Sequence, residues 1–243
     1  MGVRLGAPVA ACALALAACD GGEREPDLSG SRAVTFESRD GISLEGRLFG
    51  DGSTAVVLSH MRPADQRSWF DFAQRLADQG YLVLTYDFRG YCPGDGGGCS
   101  EGDLDIGAIW QDVLGAVDFV RSRGATTVAL VGASMGGTAS LVAAAQQGTN
   151  ADVVVTLSAP TAIERLVADA AILQRVTANK LFVAGVGDSA AEVAAQDLYA
   201  IAPPPKRVEI VPANDHGTDL LTGSQGEAVR RLVETYLAQF APA

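Results

Sequence analysis

A serine flanked by glycines at the junction of a strand and a helix is the first candidate for chemistry. Residues 132–136 (GASMG) follow the apolar run 128–131 (VALV) and precede a stretch of small residues with helical character. A turn this sharp strains the serine backbone, and glycine on either side relieves the crowding. The setting predicts that Ser134 is a nucleophile, with backbone N–H groups of the following helix directed at charge that forms beside it. A Gly- and Ser-rich turn without a catalytic role is the alternative interpretation.

A serine nucleophile needs a base, and the chain contains two histidines. His216 lies in a loop after the last predicted strand, whereas His60 follows an earlier strand, upstream of Ser134. Asp188 also follows a predicted strand, so the order along the chain is that of one known class of Ser-Asp-His triad. Asp215 is a rival acid, but it is adjacent to His216 and would struggle to bring its carboxylate round to the imidazole Nδ1. A solvated loop histidine and an aspartate that caps the next helix are the alternative interpretations.

Alternating apolar and amphipathic segments from residue 33 onward must position these side chains. Short apolar runs predict strands, and apolar residues at helical spacing predict the helices between them. Asp-Gly at 40–41 predicts a hairpin between the first two strands. The alternation predicts an α/β fold, with a mostly parallel, twisted sheet of about eight strands flanked by helices. Only about twenty residues separate the strands near 157 and 180, which is room for a helix or two and no lid domain.

Several short motifs along the chain are together typical of one protein family. They are residues 58–60 (LSH) with Pro63 and Trp69, then 87–90 (DFRG), 132–136 (GASMG), 185–188 (GVGD) and 216–217 (HG). Together they resemble a compact α/β-hydrolase, near its esterase and dienelactone-hydrolase-like branch, over residues 33–240. The resemblance implies an α/β-hydrolase fold and a serine hydrolase with the triad Ser134, Asp188 and His216. Dienelactone hydrolases carry cysteine at the nucleophile position, so Ser134 points away from that activity.

The same resemblance implies an oxyanion hole. One donor is expected to be the backbone N–H of Met135, and the other that of Met61 or Arg62, in the loop after the third strand. The family usually has His-Gly at that place, where this chain has His60 and Met61. His60 is therefore expected to be structural and to hold that loop.

The first residues have the pattern of an export signal. An apolar stretch of about ten residues follows Arg4, too short to span a bilayer, and it ends in LAAC at 16–19. This ending resembles the bacterial lipobox and implies a signal peptide at 1–18 and a lipid on Cys19. An ordinary secretory peptide with an incidental cysteine is the alternative. Residues 19–32 predict a flexible tether and 33–243 the hydrolase domain, so we expect an extracytoplasmic, membrane-anchored lipoprotein.

Two further cysteines, Cys92 and Cys99, lie in a Gly-rich loop. In an oxidising compartment they are expected to form a disulfide. A redox or metal site is the alternative, although two thiols without a neighbouring histidine make a poor zinc site. The acidic residues of the loop do not have EF-hand spacing, and its glycines lack the Lys-Ser/Thr of a phosphate loop. No cofactor and no metal are predicted.

The composition limits the partners. A formal net charge of −11 repels polyanions, so nucleic acid is not an expected partner. A site without a lid suits small esters or the exposed end of a larger acyl substrate. An amidase or peptidase with the same triad is one alternative. A non-catalytic envelope-binding lipoprotein on the same fold is another, although retention of all three triad residues argues against it. The sequence makes no prediction of the oligomeric state.

Overall fold

The computed structural model describes residues 1–2, 28–94 and 98–243. Its strands are β1 (Ser31–Glu37), β2 (Ser43–Phe49), β3 (Thr54–Ser59), β4 (Leu82–Tyr86), β5 (Thr127–Ala133), β6 (Val153–Leu157), β7 (Ala162–Ile163), β8 (Leu166–Val167), β9 (Asn179–Gly185) and β10 (Lys206–Val211). Its helices are α1 (Phe70–Ala77), α2 (Trp110–Ser122), α3 (Met135–Ala144), α4 (Ala170–Leu173), α5 (Ser189–Ile201) and α6 (Gly226–Phe240), with 3₁₀ turns at Gln66–Trp69 and Gly217–Leu221. Most of the predicted signal peptide, the predicted lipidation site Cys19 and most of the predicted tether lie outside the described residues.

Eight of the strands form one sheet in the order β1-β2-β4-β3-β5-β6-β9-β10. β1 and β2 are the antiparallel hairpin that Asp-Gly predicts, and β2 also pairs antiparallel with β4. The other pairings are parallel. The predicted α/β fold, with a mostly parallel sheet of about eight strands flanked by helices, is confirmed.

Two apolar layers cover the faces of the sheet. In β3, Val57 packs into the layer beneath α2, α3 and α5, while Val56 and Leu58 pack into the layer beneath α1 and α6. Successive side chains alternate because a strand has a side-chain period of two. Burial of each such side chain contributes roughly 1.5–3 kcal/mol, which holds the carboxyl ends of the parallel strands rigidly at one edge.

The structure adds local details to the elements expected from the sequence. The helical pattern that follows β3 predicts one helix from about residue 66 to 79, but the segment begins as a 3₁₀ turn. There the backbone N–H and side-chain amide of buried Gln66 both donate to Asp87, over 3.0 and 2.7 Å. Between β6 and β9 the chain forms the two-stranded β7–β8 ribbon and the short α4. β1 begins at Ser31, two residues before the predicted domain start, because Ser31 pairs with Phe49. Within the described ranges, no helix is long and apolar enough to cross a membrane.

Candidate active site

Ser134 lies at the sharp turn between β5 and α3. Its φ is 48° and its ψ −118°, a region that a non-glycine residue rarely adopts. The Ser134 N–H donates to the Leu157 carbonyl of β6 over 2.8 Å, and its own carbonyl accepts from Gly137 N–H over 2.9 Å. The strained strand-turn-helix geometry expected of this motif is therefore present.

The two glycines of the motif permit close packing of this turn. A Cβ on Gly132 would lie 2.3 Å from the Gly136 carbonyl oxygen, and a Cβ on Gly136 would lie 2.4 Å from the Ser59 carbonyl oxygen. Both distances are far below van der Waals contact. Glycine at these positions lets the start of α3 lie directly against the end of β3.

His216 and Asp188 come together from two loops at the same edge of the sheet. His216 Nδ1 lies 2.5 Å from Asp188 Oδ2, with side-chain exposures of 44% and 16%. Asp188 Oδ1 also accepts from the Ala191 N–H at the start of α5, over 3.4 Å. The helix-cap interpretation of Asp188 and the triad interpretation are therefore compatible, since each uses a different carboxylate oxygen. The carboxylate of the rival Asp215 lies against Gly223 instead, where a Cβ would approach it to 2.2 Å.

A cavity of about 240 Å³ joins these residues. It is lined by Ser134, Ser158, Pro160, Asp188, Ala190, Ala191 and His216. In the part of the chain that the structure describes, no hydrogen bond joins Ser134 Oγ to His216. Such contacts are often long in ligand-free enzymes and tighten with substrate bound. The structure thus brings the three predicted triad residues to one small cavity.

The expected oxyanion donors lie on two elements that touch. Met135 is the first residue of α3, so its N–H has no partner inside the helix. The loop after β3 that carries Met61 and Arg62 adjoins the start of α3, since a Cβ on Gly136 would lie 2.5 Å from the His60 carbonyl oxygen. The Met61 side chain is buried, with its sulfur against Gly217, beside His216. Arg62 is exposed and lies 3.6 Å from Glu164. The donor role of these amides remains a prediction.

His60 is buried, and both of its ring nitrogens have partners. Nε2 accepts from the Phe88 N–H over 3.1 Å, which leaves Nδ1 to donate to the Met61 carbonyl over 2.8 Å. The ring also packs against the aromatic rings of Phe88 and Tyr91. Burial lowers the pKa of His60, and the hydrogen bond that Nε2 accepts from the Phe88 N–H requires that nitrogen to be unprotonated. The surroundings agree with the prediction that His60 holds the loop after β3.

The arginine of the DFRG motif at 87–90 forms ion pairs that join three elements near the site. Arg89 donates to buried Asp112 of α2 over 2.6 Å and to Asp40 of the β1–β2 turn over 2.6 Å. We refer to Arg89, Asp112 and Asp40 as the Arg89 cluster. Hydrogen bonds from Arg89 lower the pKa of Asp40 to about 2. The cluster ties the hairpin and α2 to the end of β4.

The loop after β4 contains a disulfide between Cys92 and Cys99, with their Cα atoms 3.9 Å apart. The predicted pairing is confirmed. Asp87, at the end of β4, accepts from the Gly98 N–H over 2.7 Å, next to the bridge. The bridge therefore closes a loop that is also held to the carboxyl edge of the sheet.

Ser158 is the residue of this site that sequence reasoning missed. It lines the cavity and has a φ of 55°. Its position directly after the apolar run of β6 was the available signal, because functional groups gather where parallel strands end.

Comparison with known proteins gives the same architecture. The esterase Pf2001 of Pyrococcus furiosus is 17% identical, with a TM-score of 0.69 over 86% of this chain and 92% of that one. A dienelactone hydrolase from Anabaena variabilis is 21% identical, with a TM-score of 0.71 over 89% and 99%. An enol-lactonase from Burkholderia xenovorans is 16% identical, with a TM-score of 0.69 over 84% and 99%. At these identities the likeness shows the fold.

Sequence comparison gives the family. No curated protein matches the chain. The alpha/beta hydrolase fold family matches residues 54–215, which is more than half of the chain. That range runs from the start of β3 to the residue before His216, and it includes Ser134 and Asp188. The chain therefore belongs to the alpha/beta hydrolase fold family.

Proposed function

We propose that this protein is a serine hydrolase that cleaves small carboxylic esters through Ser134, His216 and Asp188. The observation that carries the proposal is the cavity in which Ser134, at a strained turn, meets a histidine whose Nδ1 lies 2.5 Å from a carboxylate. Esterase and lactonase activities among proteins of the same fold support the choice of ester chemistry.

The geometry assigns a role to each group. The hydrogen bond to Asp188 places a proton on His216 Nδ1, which leaves Nε2 free to accept one. Ser134 Oγ attacks the ester carbonyl while Nε2 takes the hydroxyl proton, and Nε2 then gives that proton to the leaving alcohol. In the second half of the reaction, water attacks the acyl group on Ser134 while Nε2 takes a proton from the water. Nε2 then returns that proton to Ser134 Oγ as the carboxylic acid leaves. The N–H of Met135 and that of Met61 or Arg62 would hold the oxyanion.

The size of the cavity favours small substrates. Its volume of about 240 Å³ is below the range of roughly 300–1,000 Å³ that is usual for drug-sized ligands. The segment between β6 and β9 contains two strands of two residues each and one short helix. These elements are too small to enclose a long acyl chain. Small esters, or the exposed end of a larger one, fit this opening best.

Turnover on matched substrates tests the proposal. We expect wild-type protein to hydrolyse para-nitrophenyl acetate and butyrate, and Ser134→Ala to lose that activity while it keeps the same melting temperature. The matched anilides and short peptides separate ester from amide chemistry. If the amides are cleaved faster than the esters, the triad is supported but the protein is an amidase or peptidase. If Ser134→Ala hydrolyses the esters at the wild-type rate, both the triad and the esterase assignment are refuted.

We also propose that Cys19 carries a lipid that anchors the protein at the outer face of a membrane. The lipobox-like LAAC at 16–19 and the disulfide, which suits an oxidising compartment, support this. Wild-type protein should enter the membrane fraction with an acyl mass increment, and Cys19→Ser should not. Wild-type protein that is released without the increment would refute the anchor.

A further inference from the structure

Ser158 lies between the nucleophile and the acid along the edge of the sheet. The order β5-β6-β9 places the end of β6 between the strand that leads to Ser134 and the strand that leads to Asp188. The Leu157 carbonyl accepts from the Ser134 N–H, and the Ser158 N–H donates to the Val183 carbonyl of β9 over 2.8 Å. These backbone hydrogen bonds therefore fix the position of Ser158 in the cavity that it lines with Ser134 and His216.

The hydroxyl of Ser158 is buried and has no hydrogen-bond partner. Among the residues that the structure describes, the other buried side-chain polar atoms in this condition belong to Trp69, Thr218 and Arg230, and none of these residues lines the cavity. A buried hydroxyl without a partner is unfavourable, and so is a φ of 55° at a serine. Both unfavourable features coincide at a residue beside Ser134, which is where backbone strain and unsatisfied polar groups are expected to serve a ligand.

The triad does not use this hydroxyl. Asp188 Oδ2 is bound to His216 Nδ1, and Asp188 Oδ1 accepts from the Ala191 N–H. Apart from Ser158 and the triad, the cavity is lined by Pro160, Ala190 and Ala191, which offer an apolar surface to what enters. The cavity lining therefore combines small apolar side chains with Ser158, whose hydroxyl is outside the triad and still lacks a partner.

We infer that Ser158 determines specificity by forming a hydrogen bond with an oxygen on a small substituent of the substrate. The preferred substrates are then small hydroxy- or oxo-substituted esters, in preference to plain alkyl esters of the same shape. A substrate oxygen satisfies the buried hydroxyl, whereas an alkyl group leaves it unsatisfied, and sites built this way reject the analogue that lacks the polar group. The inference rests on the proposed esterase function.

Two pairs of esters with matched shape test it. In one pair the acyl group differs: para-nitrophenyl β-hydroxybutyrate against para-nitrophenyl isovalerate. In the other the alcohol differs: hydroxyethyl butyrate against propyl butyrate. The quantity measured is the ratio of kcat/KM within a pair, compared between wild type and Ser158→Ala so that intrinsic reactivity cancels. We expect Ser158→Ala to lower the ratio roughly 10-fold in one pair, and that pair identifies which side of the ester enters the cavity.

Matched variants separate recognition from folding. Thr218→Val removes another buried hydroxyl without a partner, outside the cavity lining, and should leave both ratios unchanged. Ser158→Gly removes the hydroxyl and relieves the positive φ, so it should reproduce the ratio of Ser158→Ala with a higher melting temperature. It also supplies the test if Ser158→Ala folds poorly.

Three outcomes would overturn the inference in distinguishable ways. Ratios unchanged by Ser158→Ala in both pairs would show that the hydroxyl does not contact the substrate. An equal loss on all four esters, with a shifted pH profile, would make Ser158 a positioning residue for His216 and Asp188. Failure of wild-type protein to hydrolyse any of the four would refute the proposed function as well.

Discussion

His216 and His60 lie in loops at the same carboxyl edge of the sheet, but their rings have opposite surroundings. His60 is fully enclosed, and both its nitrogens are bound to backbone groups. His216 is partly exposed, has one nitrogen on Asp188 and lines a cavity with Ser134. A ring with both nitrogens occupied cannot accept a proton from a substrate or a serine. Position after a strand therefore does not distinguish the two histidines, whereas hydrogen bonding does: His216, with one ring nitrogen bound to Asp188 at a cavity, is the one that we propose as the base.

The carboxylates repeat the contrast. In the Arg89 cluster, Asp112 is completely buried and accepts from Arg89 through both oxygens. Asp188 divides its oxygens between a helix start and an imidazole at the cavity. The same kind of side chain binds a buried arginine in one place and, in the proposed function, orients the base in the other.

Removal of the two histidines should give opposite results, and the effect on catalysis is the largest that we predict. His216→Ala should lower kcat on para-nitrophenyl butyrate roughly 10⁶-fold, because it removes the proposed acceptor of the serine proton. Adding Ser134→Ala should lower it little further, since the triad acts as a unit. The free energy of unfolding should stay within about 0.5 kcal/mol of wild type, because the side chain is partly exposed. A rate within 100-fold of wild type would contradict the assigned role.

The Arg89 cluster should give the largest loss of stability. Asp112→Ala leaves the Arg89 guanidinium without its buried partner, and we expect a loss of about 3–5 kcal/mol in chemical denaturation. The matched control is Asp118→Ala, which breaks the exposed ion pair with Arg39 and should cost at most about 1 kcal/mol. Equal losses for the two variants would show that the buried pair does not hold the frame.

His60→Ala should reduce stability and largely spare catalysis. It removes two buried hydrogen bonds and the contacts with Phe88 and Tyr91, so we expect a loss of about 2–4 kcal/mol. Turnover of the folded protein should fall by less than about 100-fold, the remaining effect arising through the neighbouring Met61. A loss of activity as large as that of His216→Ala would mean that the two histidines have been assigned the wrong roles.

The smallest predicted effect is a dependence of stability on pH. Because the pKa of Asp40 is lowered to about 2, its ion pair with Arg89 contributes fully above the ordinary carboxyl pKa of about 4 and is lost as pH falls toward 2. For this partly exposed carboxylate the contribution is about 1 kcal/mol after solvent screening. The difference in unfolding free energy between wild type and Asp40→Asn should therefore be constant near neutrality, shrink as pH falls from about 4 to 2, and vanish below pH 2. A difference that persists there would exclude the charge as its cause.

Sequence reasoning reached the parts of this molecule that depend on local pattern. The sheet, the hairpin at Asp40 and the disulfide between Cys92 and Cys99 followed from periodicity, turn residues and spacing. The proximity of Asp188 and His216 followed because parallel strands end at one edge. Helix capping and triad membership of Asp188 are alternatives in the sequence, but in the structure they are compatible because a carboxylate has two oxygens.

Contacts between residues far apart in the chain could not be predicted from the sequence. The partners of Arg89 lie 23 and 49 residues away, and no pattern in the DFRG motif names them. The first residue of the 3₁₀ turn at Gln66–Trp69 donates to Asp87, which lies 21 residues away. The unsatisfied hydroxyl of Ser158 is an absence of contacts, which only a folded chain can reveal.

Covalent labelling is the most direct test of whether Ser134 is an activated nucleophile. A fluorophosphonate probe reacts with a serine only where a base and an oxyanion site activate it. We expect the wild-type protein to be labelled on the peptide that contains Ser134. Ser134→Ala and His216→Ala should not be labelled, whereas His60→Ala should be. Label on another serine, such as Ser158, or an unlabelled wild-type protein with intact fold, would contradict it.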